Sequence, residues 1–202
     1  MFKKLFIRIY RLIAKTTPTW QEVSNEQDRK NEAFYNTYLF PVVGVIALLS
    51  FIGMMMPFKS FEISNALKTV LKQVFIVGGS FYLNTFIISR WMFPCVDITP
   101  NRTLAERFTG YASALIFALT MLKSLFPGLF FLEILSIYTF YMVWIGAIEY
   151  LKIDDEQGYC FSFLGKKIEW AALPVFTFLA GMLLLGMPFF LRFLIEKLMP
   201  NF

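Results

Sequence analysis

The chain has 202 residues, of which 57% are hydrophobic and 16% are charged, and its formal net charge is +5. A soluble domain carries about 25% charged residues, so this composition favours a membrane protein. The sequence contains no histidine, which excludes the usual zinc sites and histidine-based acid–base catalysis. Cys95 and Cys160 lie far apart in no metal-binding pattern, so neither a disulfide framework nor a metal site is predicted.

Residues 2–15 predict an amphipathic helix that has aromatic and aliphatic side chains on one face. Its basic residues are Lys3, Lys4, Arg8, Arg11 and Lys15. This pattern favours an interfacial helix that lies among the anionic headgroups of a membrane. The alternative is a helix that packs on the protein's own loops. Trp20, in the polar stretch that follows, is predicted to be an anchor, either in the headgroup layer or in packing.

Five apolar stretches follow the N-terminal segment of residues 1–34. About 20 apolar residues in a helix cover the ~30 Å hydrocarbon core of a bilayer. The sequence therefore predicts an all-α polytopic membrane protein, whose residues 35–202 form a five-helix transmembrane bundle with a short C-terminal amphipathic tail. The predicted spans are residues 35–56, 69–89, 108–122, 129–148 and 170–191, and the predicted connections include residues 57–68, 90–107 and 149–169.

Lysine and arginine residues are concentrated on one side of this predicted bundle, in residues 1–34, 90–107 and 149–169. Positive charge near the ends of membrane helices is retained on the cytoplasmic side. The distribution predicts a cytoplasmic N-terminus and a C-terminus on the outer side.

Lys72 and Glu133 are charged residues inside predicted spans, at similar depths. A charge within a bilayer is costly, and pairing with an opposite charge reduces that cost. The sequence leaves three interpretations open. The lysine can extend to the headgroups while the glutamate faces a small wet crevice, the two can form a structural ion pair, or they can belong to an ion or proton site.

The sequence carries no glycine-rich phosphate loop, no nucleophile elbow, no HExxH motif and no paired carboxylates within a span. No catalytic residues and no cofactor are therefore predicted, and the chain is expected not to be an enzyme. Intramembrane Ser and Thr residues are scattered, which is typical of hydrogen bonds between helices.

Gly110-Tyr111-Ala112-Ser113 opens the third predicted span, and Tyr138 and Gly146 lie in the fourth. With Pro18 and Trp20 ahead of five spans, this pattern resembles the Yip-one domain family of Ypt/Rab-interacting membrane proteins. The resemblance covers about residues 15–190 and implies a bacterial-type member in the inner membrane. Eukaryotic relatives act in membrane trafficking and shaping through protein partners. Their Asp-Leu-x-Gly-Pro motif is missing here, which argues against binding of a Rab GTPase.

The sequence as a whole predicts a non-enzymatic membrane-organising or scaffold protein. Its expected partners are the lipid bilayer, anionic headgroups and unidentified membrane or cytoplasmic proteins, with no nucleic acid, and a homo-oligomer is compatible with it. The alternative is a small transporter or channel subunit that uses Lys72 and Glu133, and an intramembrane enzyme ranks third. A polar cavity that reaches Glu133 would favour transport, whereas a dry aromatic bundle would favour a scaffold.

Overall fold

A computed structural model of the chain describes residues 2–25, 34–55, 62–126, 128–153, 158–163 and 166–198. Most of these residues are helical. The helices are α1 Phe2–Ala14, α2 Thr16–Asn25, α3 Phe40–Met54, α4 Ile63–Ile87, α5 Phe93–Cys95, α6 Arg102–Ala112, α7 Ala114–Leu125, α8 Tyr138–Glu149 and α9 Ala172–Leu198. Two π-helical turns, Tyr35–Leu39 and Ile88–Met92, lead into α3 and α5, and a 3₁₀ helix, Phe130–Ile137, leads into α8.

The long helices run in alternate directions and form one bundle. Helix α3 packs against α4 and α7, while α9 packs against α4 and α8. We call the end that carries α1 and α2 the N-terminal end of the bundle. The other end, where α7 turns into the 3₁₀ helix and α9 reaches Leu198, is the C-terminal end.

Four helical segments among the described residues are each long and apolar enough to cross a membrane. They are Tyr35–Met54, Ile63–Cys95, Phe131–Glu149 and Ala172–Leu198. The pair Arg102–Ala112 and Ala114–Leu125 passes the same test together but is bent by 48°. The prediction of a mainly helical chain with several membrane-length helices is confirmed, with four spans or, if the bent pair is one span, five.

The predicted boundaries are too narrow at several helix ends. Helix α4 begins at Ile63, inside the predicted connection 57–68. The loop predicted over residues 90–107 is helical up to Cys95 and again from Arg102. Helix α9 continues to Leu198 through the predicted tail. A helix satisfies its own backbone hydrogen bonds wherever it runs, so it continues past the residue at which its side chains stop being apolar.

The predicted loop 149–169 contains two strands. Strand β1, Gly158–Phe163, pairs antiparallel with β2, Lys166–Ala171, from Gly158 opposite Ala171 to Phe163 opposite Lys166. Apolar content alone did not indicate this hairpin.

Both π-helical turns end two residues before a proline, Pro41 in one case and Pro94 in the other. Proline has no N–H, and its ring collides with the carbonyl group four residues earlier. A wider turn removes that collision. The helical segment that contains Pro41 already begins at Tyr35, so Pro41 lies inside it, and the π-helical turn accommodates the proline ring.

The N-terminal segment packs directly on the bundle. Trp20 is completely buried, and its ring lies 5.8 Å from that of Phe108 and 5.7 Å from that of Tyr150. A side chain with no exposed surface cannot reach lipid headgroups, so the headgroup interpretation of Trp20 is wrong and its anchoring role is in packing. In α1, Leu5, Ile9 and Leu12 face the protein.

Candidate functional site

A cavity of about 670 Å³ extends from the C-terminal end of the bundle between α3, α4, α7, the 3₁₀ helix and α9. Along α4 its wall extends from Thr69 to Asn84, which at 1.5 Å per residue is about 22 Å. A bilayer core is ~30 Å thick, so the cavity is long enough to reach well beyond the middle of the bundle.

Charged residues line the cavity towards the C-terminal end of the bundle. They are Lys123, Glu133 and Arg192. The Lys123 ammonium group donates a hydrogen bond to Oε1 of Glu133, and both side chains are partly exposed. The Ser136 hydroxyl donates to the Glu133 backbone carbonyl. The cavity therefore has an ion pair near one end and an exposed arginine beside it.

The predicted pair of Lys72 and Glu133 is wrong in its partners. Lys72 Nζ lies 3.1 Å from Oε1 of Glu196, which belongs to the extended part of α9, and Lys72 does not line the cavity. The short turn between α7 and the 3₁₀ helix brings Lys123 to Glu133 instead. The sequence placed the two original residues at equal depth, but depth does not determine which helices are neighbours.

The Lys123–Glu133 pair makes a testable contribution to stability. We expect Glu133→Gln to lower the free energy of unfolding in detergent and Lys123→Gln to restore part of the loss, with a coupling energy of about 1 kcal/mol because both side chains are partly exposed. A double-mutant cycle followed by thermal unfolding measures it. The matched cycle of Glu133→Gln with Lys72→Gln is expected to be additive. Additive effects in the first cycle would contradict the pairing.

The deep part of the cavity wall contains neutral polar side chains, Ser80, Asn84 and Ser113. Asn84 is 2% exposed and Ser80 is 5% exposed. Within the described part of the chain, Asn84 Oδ1 and Ser80 Oγ have no hydrogen-bond partner. Thr85, Thr109, Thr139 and Thr177 share that property but do not line the cavity. Buried polar atoms are normally paired, and at Ser80 and Asn84 the cavity leaves room for a partner.

Aromatic side chains close the cavity towards the N-terminal end. Phe81 lines the cavity, and its ring lies 6.4 Å from that of Phe34. Behind them, Tyr38 and Tyr111 have ring centroids 4.9 Å apart, and the Tyr38 hydroxyl donates to the Gly110 carbonyl at 3.3 Å. Phe34, Tyr38, Phe81 and Tyr111 are all buried. We call these four residues the aromatic floor.

Departures from regular α-helix border the cavity. Ser113, at the 48° bend between α6 and α7, is one of its lining residues. Glu133 and Ser136 lie on the 3₁₀ helix, and Pro188 lies inside α9. In membrane helices, irregular backbone is tolerated where it is buried in protein or lines a wet cavity. The bend separates Gly110, which lies in α6, from Ala114, which begins α7.

The residues that carry the family resemblance lie near the N-terminal segment rather than near the cavity. Tyr111 stacks under the guanidinium group of Arg8, at 4.9 Å, and meets Trp20 edge-on. Gly146 leaves room for the Trp20 indole, and the Tyr138 hydroxyl donates to the Ile13 carbonyl at 3.1 Å. Gly110 leaves room for Phe34. These glycines and tyrosines shape the surface on which the N-terminal segment and the start of the first span pack.

The basic residues of α1 do not all have the same environment. Arg8 is partly buried over Tyr111, whereas Lys3, Lys4, Arg11 and Lys15 are exposed. Phe6 and Tyr10 are exposed as well. Helix α1 therefore uses one apolar strip for packing on the protein and keeps a second one, next to its basic face, uncovered by the described residues.

Sequence reasoning missed a buried charged group at the N-terminal end. Glu106 is 4% exposed and accepts a hydrogen bond from Arg102 Nε at 2.8 Å. The Arg102 guanidinium group also lies 5.7 Å from the Tyr82 ring centroid. The available signal was the spacing of four residues between Arg102 and Glu106, which is typical of ion pairs on a helix.

Comparisons with known proteins identify no relative. A scan against protein-family models and searches of the curated proteins and of the solved structures found no match to the chain. Within the described ranges there is also no group of three or more Cys, Asp or Glu residues that could hold a metal ion.

Proposed function

We propose that this chain is a non-enzymatic integral membrane protein that binds a small polar solute in the cavity and passes it across the membrane. The observation that carries the proposal is the cavity, whose mixed wall carries polar side chains from Glu133 at one end to the unpaired Asn84 and Ser80 at the other. An unpaired buried polar atom costs about 1–3 kcal/mol, and a polar solute in the cavity would remove that cost at Asn84 and Ser80.

The irregular backbone supports the same proposal. The bend at Ser113, the 3₁₀ helix and Pro188 all border the cavity. Interrupted helices at a central site are the usual construction of membrane transporters. In the structure as described, the aromatic floor closes one end, so passage requires the floor to move. In this proposal the charged residues of the transport path are Lys123 and Glu133, whereas the sequence suggested Lys72 and Glu133.

Blocking the cavity is expected to stop passage. In liposomes that contain the purified protein, we expect uptake of labelled small polar solutes, and we expect Thr120→Trp to reduce it at least tenfold because Thr120 lines the cavity. Leu122→Trp on the same helix is the control, since Leu122 is exposed and lies outside the cavity. Absence of uptake by the wild-type protein for neutral, anionic and cationic solutes alike would refute the proposal.

A second candidate function is interaction at a membrane surface, as a scaffold or membrane-organising protein. The observation in its favour is α1, where exposed Phe6 and Tyr10 adjoin exposed lysines and Arg11. Such a surface suits the anionic cytoplasmic leaflet of an inner membrane. It would place the N-terminus in the cytoplasm and Leu198 towards the outside. The resemblance to the Yip-one domain family, which implies protein partners, stays a prediction.

The position of α1 relative to lipid can be measured. We expect a bimane fluorophore on Tyr10→Cys to be quenched by nitroxide lipids in anionic bilayers, because Tyr10 is 66% exposed on the apolar flank. A label on Arg11→Cys, on the basic face, is the control and should be quenched much less. Equal quenching at the two positions would contradict an interfacial orientation of the helix.

A further inference from the structure

The charges of the cavity are confined to one part of it. Among the described residues that line it, Lys123, Glu133 and Arg192 are the charged ones. Lys123 and Ser113 stand ten residues apart on the same segment, or about 15 Å along a helix. Ser80, Asn84 and Ser113 therefore line a deep part whose wall, among the described residues, contains no charged residue. A charged guest there would lose its hydration without compensation.

The deep part offers hydrogen-bond acceptors beside an apolar surface. Ser80 and Asn84 are one turn apart on the same face of α4, and the unpaired atoms are oxygens in both. Rotation of the Ser80 hydroxyl group or the Asn84 amide group presents the unpaired oxygen to the cavity. Pro188 has no N–H, so the carbonyl of Leu184 lacks its usual intrahelical donor, and Leu184 is one of the residues that line the cavity. An apolar guest would leave all of these acceptors unpaired.

We propose that the deep part of the cavity binds a small uncharged molecule that carries several hydrogen-bond donors, of the polyol or amide class. A neutral molecule avoids the missing counter-charge, and its O–H or N–H groups pair with Asn84, Ser80 and the Leu184 carbonyl. The apolar faces of Phe81 and Leu184 contact its carbon skeleton. This inference rests on the proposed passage of a polar solute and specifies the class of that solute.

Uptake selectivity in liposomes tests the inference. With the full chain reconstituted, erythritol and urea should enter at least tenfold faster than in protein-free liposomes, while glycine and sodium should not. Asn84→Leu, which keeps the size of the side chain but removes its polar atoms, should bring erythritol uptake close to the protein-free rate. Thr139→Val is the matched control, because it removes a buried unpaired hydroxyl that does not line the cavity, and it should leave uptake unchanged.

The outcomes separate the inference from the function on which it rests. Faster entry of glycine or sodium than of erythritol would overturn the solute class and leave passage standing. Absence of all uptake would refute passage, and cysteine modification then decides the class. In a chain with Cys95→Ser and Cys160→Ser, the rate of modification by a neutral methanethiosulfonate reagent is divided by the rate for a charged one. This ratio should be at least tenfold higher for Ser80→Cys than for Ser124→Cys. An equal preference at the two positions would overturn the inference.

Discussion

Trp20→Ala is expected to lower the free energy of unfolding in detergent by about 3–5 kcal/mol, the usual cost of removing a large buried aromatic side chain. The indole has no exposed surface and contacts Phe108, Tyr111 and Tyr150. It also fills the space that Gly146 leaves open. Its loss therefore removes the contacts that this side chain makes between α2 and both α6 and α8. Thermal or denaturant unfolding of the purified protein measures the effect.

The control for this prediction is Trp91→Ala. Trp91 is 69% exposed, so the same substitution there is expected to change stability by less than about 0.5 kcal/mol. Trp20→Phe should recover a large part of the loss, because the ring contacts persist and the indole N–H has no hydrogen-bond partner among the described residues. Equal effects of the two alanine variants would show that the N-terminal segment does not pack on the bundle as described.

The second large effect is expected at Gly53. A Cβ atom added there would overlap the backbone carbonyl oxygen of Ser124 on the neighbouring helix α7. A backbone atom cannot rotate away as a side chain does, so α3 and α7 must separate. We expect Gly53→Ala to destabilise the protein by about 1–3 kcal/mol, as overpacking in a close contact does.

Gly44 provides a matched control on the same helix. A Cβ atom there meets nothing within 4 Å, and alanine favours the helix by up to about 1 kcal/mol over glycine. Gly44→Ala should therefore be neutral or stabilising in the same unfolding measurement. Because Gly53 also lines the cavity, Gly53→Ala should in addition reduce solute uptake. A neutral Gly53→Ala would show that α3 and α7 lie farther apart than described.

The space between the helices is filled differently at the two ends of the bundle. Towards the N-terminal end, the aromatic floor and Trp20 fill the space between the helices with buried rings. Towards the C-terminal end the helices surround a cavity whose wall contains both polar and apolar side chains. The sequence posed a dry aromatic bundle and a polar cavity as alternatives, and the chain contains both.

The membrane character of the chain could be predicted from sequence because it depends on local composition. A helical segment such as Tyr35–Met54 is long and apolar enough to cross a bilayer wherever it lies in the fold. The ends of α4 and α9 could not be predicted in the same way. Ile63 and Leu198 extend their helices beyond the apolar core, where hydropathy carries no signal.

The partners of the charged residues could not be predicted from the sequence. Lys72 and Glu133 were placed at the same depth, yet Lys72 pairs with Glu196 and Glu133 with Lys123. Depth follows from position along a helix, whereas pairing follows from which helices are adjacent and how they are rotated. The Lys123–Glu133 pair is local enough, within one helical hairpin, to have been considered.

By itself the sequence determined the helical class and the membrane-length helices, because both depend on neighbours along the chain. The tertiary structure alone decided that Trp20 is a packing residue, that the third predicted span bends at Ser113, and that Ser80 and Asn84 share a cavity with Glu133. These features depend on contacts between distant segments. The spacing of hydrophobic residues shows which face of a helix is apolar, but it does not show which segment packs against that face.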